Sequence, residues 1–260
     1  MIRIGTSGYS YEDWIGPFYP EGTAKGDMLL YYAREFDTTE INSTYYRLPT
    51  PQMLAAMARK VPAGFLFTVK ASQELTHGRE EPQAAFRQFR EALEPLQDAG
   101  KFGCVLAQFP WSFRPSDESR DYLTLLREQL RDLPVVVEFR NAGWVNEQTF
   151  ALLQRLSLGY CCVDEPRLKG LIPPIARATA PVAYVRFHGR NAAKWWQHQE
   201  AWERYDYAYS EDELREWVPK IHDLAGAAET VFVLTNNHWR GQAVTTAKQL
   251  RLLLEPAAGE

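Results

Sequence analysis

Val182-Ala183-Tyr184-Val185-Arg186-Phe187-His188-Gly189-Arg190 reads as a buried strand, and its alternation splits it into two faces. Ala183, Val185 and Phe187 form an apolar set suited to packing beneath helices. Tyr184, Arg186, His188 and Arg190 form the other set. Two guanidiniums and an imidazole on an interior face need compensation, because unpaired buried charge is costly. Carboxylates from other strands, a bound anion, or water in an open mouth would each supply it.

Seven further runs read as strands: Ile2–Ser7, Thr38–Asn42, Phe65–Ala71, Gly103–Phe109, Val135–Arg140, Tyr160–Asp164 and Val231–Asn236. Amphipathic segments alternate with them at Asp27–Phe36, Thr50–Lys60, Pro82–Asp98, Ser116–Leu130, Asn146–Leu156, Ser210–Ala225 and Gly241–Leu254. Start signals support several of these. Pro51 sits where its missing N–H does no harm, Ser116 is a candidate N-cap, and Ser210 with Glu213 spells a capping box. The segment Glu165–Pro181 carries Pro166, Pro173, Pro174 and Pro181, which argues against a full helix there. Eight β/α alternations without a composition shift predict an α/β fold, a closed (β/α)8 TIM-type barrel. It is expected as a single domain over residues 1–260, with an irregular sixth β/α connection and a frayed tail at 255–260. An open doubly wound sheet would call for a Gly-rich phosphate loop after the first strand, and Gly5-Thr6-Ser7-Gly8 is too short a match.

The net charge is -4, so no global basic field draws the chain to nucleic acid or anionic lipid, and any anion site must be local. No apolar run approaches the roughly 18 residues of a membrane span. Met1-Ile2-Arg3-Ile4-Gly5 reads as a strand and not as a signal peptide. A cytoplasmic protein with no membrane partner is expected. Cys104, Cys161 and Cys162 lie inside apolar strand-like runs without metal spacing, which suits buried reduced thiols. No bound metal is expected, and no motif identifies a cofactor or an oligomeric state.

Splitting every strand by parity gives a recurring pattern, in which the polar face becomes more polar toward the strand's C-terminal end. That end carries the active site in (β/α)8 barrels. The mouth so assembled holds Arg3, Lys70, Arg140 and Arg186 against Glu40, Glu138 and Asp164, with His188, Asn42 and Gln108 among them. The loops above are rich in aromatics, including Tyr11, Trp14, Tyr45, Tyr46, Trp111, Trp144, Trp195, Trp196, Trp202, Tyr205 and Tyr207. Most should pack loops onto the rim, and the rest could stack on a planar or sugar-like ligand. Asn236-Asn237-His238 leads through Gly241 into the last helix, a position suited to anions. With Arg186, Arg190 and His188 nearby, an anion-binding corner is expected there. A plainer reading has the asparagines capping a turn and His238 bonding the rim.

Ordered motifs run the length of the chain: Gly5-Thr6-Ser7-Gly8-Tyr9-Ser10-Tyr11, Phe18-Tyr19-Pro20, Glu40-Ile41-Asn42-Ser43-Thr44-Tyr45-Tyr46-Arg47, Lys70-Ala71-Ser72, Thr76-His77, Gln108-Phe109-Pro110, Glu138-Phe139-Arg140, Arg186-Phe187-His188-Gly189-Arg190-Asn191, Tyr205-Asp206-Tyr207, Asn236-Asn237-His238 and Gly241-Gln242-Ala243. In these the sequence resembles domain-of-unknown-function family seventy-two, the YecE-like proteins, over essentially its whole length. The resemblance implies a TIM-type barrel and no assigned activity.

The residues themselves support three readings of function. The first is a hydrolase- or lyase-type enzyme acting on an anionic, phosphate-bearing substrate, such as a nucleic acid or a sugar phosphate. Lys70, Arg140, Arg186 and Arg190 would neutralise the anion, with Asn42, Gln108, Asn236, Asn237, His238 and Tyr46 completing the binding site. Glu40 or Glu138 would act as general base, and His188 or His238 would donate or shuttle a proton. The second is a non-catalytic module that binds a small anion or nucleic acid with the same charges. The third is a glycosidase using Glu40 and Glu138, which requires carboxylates about 5.5 Å or roughly 6.5–9.5 Å apart.

Overall fold

Residues 1–255 are described here from a computed structural model of the chain. Eight parallel strands close into a barrel in sequence order. They are β1 (Ile2–Ser7), β2 (Thr38–Ile41), β3 (Leu66–Lys70), β4 (Phe102–Gln108), β5 (Val135–Glu138), β6 (Leu158–Asp164), β7 (Val182–Phe187) and β8 (Thr230–Thr235). β8 pairs with β1, so no sheet edge is left open. The predicted strands are all present. Their ends differ by one or two residues, because polar residues such as Asn42, Arg140 and His188 leave the ladder at the mouth.

The surrounding helices are α1 (Met28–Glu35), α2 (Pro51–Lys60), α3 (Gln83–Asp98), α4 (Asp117–Gln129), α5 (Glu147–Arg155), α6 (Glu211–Arg215), α7 (Val218–Ala227) and α8 (Gln242–Leu254). Side-chain caps fix several starts. Thr50 accepts from the Met53 N–H at 3.2 Å, Ser116 from Ser119 at 3.1 Å, and Asn146 from Thr149 at 2.9 Å. Ser210 and Glu213 form the expected reciprocal box. The helix expected over Ser210–Ala225 is broken into α6 and α7. Pro219 has no N–H for the Arg215 carbonyl, and its ring crowds that carbonyl. β6 and β7 are joined without a helix, as the prolines of 165–181 required. Of the tail expected to fray, Glu255 ends α8 as an extended cap, and 256–260 lie outside the described residues.

The two strand faces separate as the alternation demands. Outward, Phe187 packs on Trp217 at the start of α7, and Phe109 packs on Tyr122 of α4. Inward, Tyr184 and Phe232 lie in contact at the level of Thr68, whose hydroxyl is 2.7 Å from the Tyr184 Oη. A Cβ on Gly103 would come within 2.7 Å of the Phe232 ring, so the glycine makes room for that aromatic layer. The apolar lower barrel is a packed plug, and polar side chains gather above it.

Candidate active site at the barrel mouth

Above the plug lies one buried charge array. Arg186 bridges two carboxylates, giving 2.7 Å to Glu40 Oε1 and 2.7 Å to Glu138 Oε2. The second oxygen of Glu40 accepts from Tyr184 Oη at 2.8 Å. The second oxygen of Glu138 meets Arg140 Nε at 2.8 Å and His188 Nε2 at 3.1 Å. Arg140 continues to Glu165 at 3.2 Å, and Glu165 also accepts the Ile172 N–H at 2.9 Å. Glu40, Glu138 and His188 have no solvent exposure, and Arg186 only 1%. The Arg186 charge is therefore compensated by carboxylates from β2 and β5.

The electrostatics follow from this wiring. Burial would raise the Glu138 pKa, but Arg140, Arg186 and His188 outweigh it and hold the carboxyl well below its usual range. Burial pushes His188 down to about 3, helped by Arg140 and only partly opposed by Glu138. The imidazole is thus neutral. Glu138 can only accept, so Nε2 carries the proton and Nδ1 accepts from the Asn236 amide at 3.1 Å. Burial lifts Glu165 to about 7, with Arg140 restraining the rise.

Over this array opens a cavity of about 470 Å³. Its wall includes eight of the residues assigned to the site from sequence: Asn42, Tyr46, Lys70, Gln108, Arg140, Arg186, Asn236 and His238. Tyr11, Tyr45, His77, Trp111, Leu171, Trp195, Trp196, Arg204 and Tyr205 complete most of it. The cationic side chains on the wall are Lys70, Arg140, Arg186 and Arg204, and no Asp or Glu lines it among the described residues. Lys70 has no carboxylate within 4.0 Å among those residues, and its ammonium lies 4.6 Å from the Tyr45 ring centre. Burial and Arg186 lower its pKa to about 8. His77 is brought down to about 4 by burial and by Lys70. His238 is lowered by burial and stacks on Tyr11 at 4.8 Å.

Several expectations need correction. Glu40, Glu138 and His188 lie beneath the cavity, locked to Arg186, Arg140 and Asn236, so none presents a free atom to a ligand. Arg190 does not enter the mouth: it grips Asp164 at 2.7 Å and Glu216 at 2.9 Å on the helical side. Asp164 shares the outward parity of Phe187 and also accepts from Tyr209 at 2.7 Å and Trp217 at 2.6 Å. Arg3 has inward parity but sits at the opposite end of the barrel, bonded to Asp37 and the Gly64 carbonyl. The corner expected at loop eight is filled by the chain itself. Asn237 donates to the Tyr207 carbonyl and to Thr246, and Gln242 engages Asp206 and Tyr207. Asn237 thus ties loop eight to the excursion after β7 and to α8, and it makes no side-chain cap at the start of α8.

Arg204 is a cationic side chain of the cavity wall that strand parity missed. It belongs to the long excursion after β7, where no period applies, and only its place between Trp202 and Tyr205 marks it. Its Nε donates to the Trp195 carbonyl at 3.1 Å, with the guanidinium over the Trp195 ring. Trp196 is 53% exposed and meets Trp111 edge-on at 6.3 Å, giving the mouth an open aromatic rim.

The comparisons agree with this architecture. A family model described as "Protein of unknown function DUF72" matches residues 3–260. UPF0759 protein YunF of Bacillus subtilis (strain 168) is 33% identical over 271 residues, covering 98% of this chain and 95% of that protein. The crystal structure of a DUF72 family protein from Thermotoga maritima MSB8 superposes with a TM-score of 0.91 at 38% identity, covering 98% of this chain and all of that one. A DUF72 family protein from Enterococcus faecalis V583 gives a TM-score of 0.88 at 26% identity, covering 100% of this chain and 97% of that one. No described helix is long and apolar enough to cross a membrane. With the family match spanning nearly every residue and the barrel shared with solved relatives, the chain belongs to the DUF72 family of (β/α)8 barrel proteins.

Proposed function

We propose that the protein is an enzyme that binds a small anionic, phosphate- or carboxylate-bearing molecule in the barrel mouth and acts on it there. One observation carries this reading: a cavity wall with cationic side chains and, among the described residues, no carboxylate. Glu40, Glu138 and Glu165 offset part of the charge from below, and Glu165 at about 7 does so incompletely. The surplus sits at Lys70 and Arg204, which have no carboxylate partner among the described residues. Anion binding would offset it. Trp111, Trp196 and Tyr205 add flat apolar surface for a ring or sugar. The cavity volume falls in the range of small-molecule sites, which favours a monomeric ligand over a polymer.

The groups that could handle protons are those facing the cavity, Lys70, His77 and His238, and not the buried trio. The same burial weighs against the glycosidase reading. A glycosidase needs one protonated carboxyl reaching the leaving oxygen, whereas Arg186 spans both acids and excludes them from the cavity. Thermal-shift screening against nucleotides, sugar phosphates and neutral sugars tests the proposal. Organic phosphates should raise the melting temperature in a concentration-dependent way, and neutral sugars should not. Stabilisation by neutral sugars alone would overturn it.

A further inference from the structure

We propose that Lys70 is the nucleophile of this mouth, forming an imine with an aldehyde or ketone that also carries an anionic group. This deepens the anion-site reading and rests on it. Lys70 ends β3, where the barrel directs it into the cavity, and no carboxylate or hydrogen-bond partner among the described residues engages its amine. Its neighbours come from several elements: Tyr45 at 4.6 Å, Arg186 from β7, Glu40 from β2, Glu138 and Arg140 around the end of β5, and His77 after β3.

Burial and the guanidiniums disfavour a positive charge on the amine, and Glu40 and Glu138, held by Arg186, offset them only in part. An amine placed beside other cations in a desolvated pocket is the arrangement that activates a lysine as nucleophile. With a pKa of about 8, roughly a tenth of the amine is free at neutral pH, against well under a thousandth for an ordinary lysine. The Nζ lone pair would attack the carbonyl carbon, forming the C–N bond. The carbonyl oxygen would take one proton from the amine and one from solvent and leave as water, giving the protonated imine. The resulting imine accepts the electron pair of an adjacent C–H or C–C bond, so the reaction class is lyase-like or isomerising. Arg140, Arg186 and Arg204 would hold the anionic end of the same molecule.

The full chain, treated with pyridoxal 5′-phosphate and then borohydride, tests this by peptide mass spectrometry. The probe is an aldehyde with a ring and a phosphate, and hydride reduction of the imine carbon fixes it as a secondary amine. Lys70 should be labelled at least about tenfold faster than any other lysine, and excess pyrophosphate should slow it. Lys70→Arg should bind pyrophosphate in calorimetry yet take no label in the mouth. Pyrophosphate binding with Lys70 labelled no faster than surface lysines would overturn the nucleophile and leave the anion site standing. Absence of both would overturn the two together.

Discussion

At the scale of single residues, Arg186 joins Glu40 to Glu138 at the floor of the cavity, and His188 sits beneath it between Glu138 and Asn236. Arg186→Met would leave Glu40 and Glu138 buried without their shared cation. It is expected to destabilise the fold by about 3–5 kcal/mol in denaturant titration. His188 makes a separate prediction through pH. Its folded pKa of about 3 lies below the roughly 6.5 of an unfolded histidine. At this site the unfolded chain therefore binds more protons between those values, and the His188 contribution to stability falls as pH drops through that window, by up to ~1.4 kcal/mol per unit. Glu138, with its folded pKa depressed, adds to the loss only below about 4.3. His188→Gln should flatten the upper part of the acid limb, between pH 6 and 4.5, in unfolding measured across pH. An unchanged limb would contradict a neutral His188. The sequence made the unusual character of Arg186 and His188 legible, because alternation alone put them inside. It could not show that Glu40 and Glu138 were already bound to them, since that depends on register between β2, β5 and β7.

At the scale of elements, two polar assemblies share one barrel end and do different things. Arg190, Asp164, Tyr209 and Trp217 tie β6 and β7 to α6 and α7 on the outer side. Arg204, on the excursion between β7 and α6, leans into the cavity instead. Asp164→Ala should cost about 3–5 kcal/mol of stability by stranding Arg190 and the two aromatic donors. Its ligand affinity should be close to the parent's when measured well below its melting point. Arg204→Ala should do the reverse, within ~0.5 kcal/mol of parent stability. Strand order and the missing sixth helix were readable from periodicity and prolines. The division of labour was not, because Asp164 stands at a strand end where a one-residue shift in parity moves a side chain from mouth to exterior. The break before α7 was readable from Pro219, which the capping box at Ser210 obscured.

At the scale of the whole molecule, an acidic chain of net charge -4 presents a mouth whose wall is cationic. The overall field would not recruit anions; on the proposed reading the local one would, through side chains fixed by eight parallel strands and the loops above them. Binding should weaken as salt rises, though less steeply than on an open basic face, because buried pairs are poorly screened. The most direct measurement is calorimetric titration of the parent chain, Arg204→Ala and Asp164→Ala with an organic phosphate identified by thermal shift. The account predicts saturable binding at one site per chain, weakened about tenfold or more in Arg204→Ala and unchanged in Asp164→Ala. Equal affinity in the parent and Arg204→Ala, or no binding of any organic phosphate to the parent, would contradict an anion site in the barrel mouth.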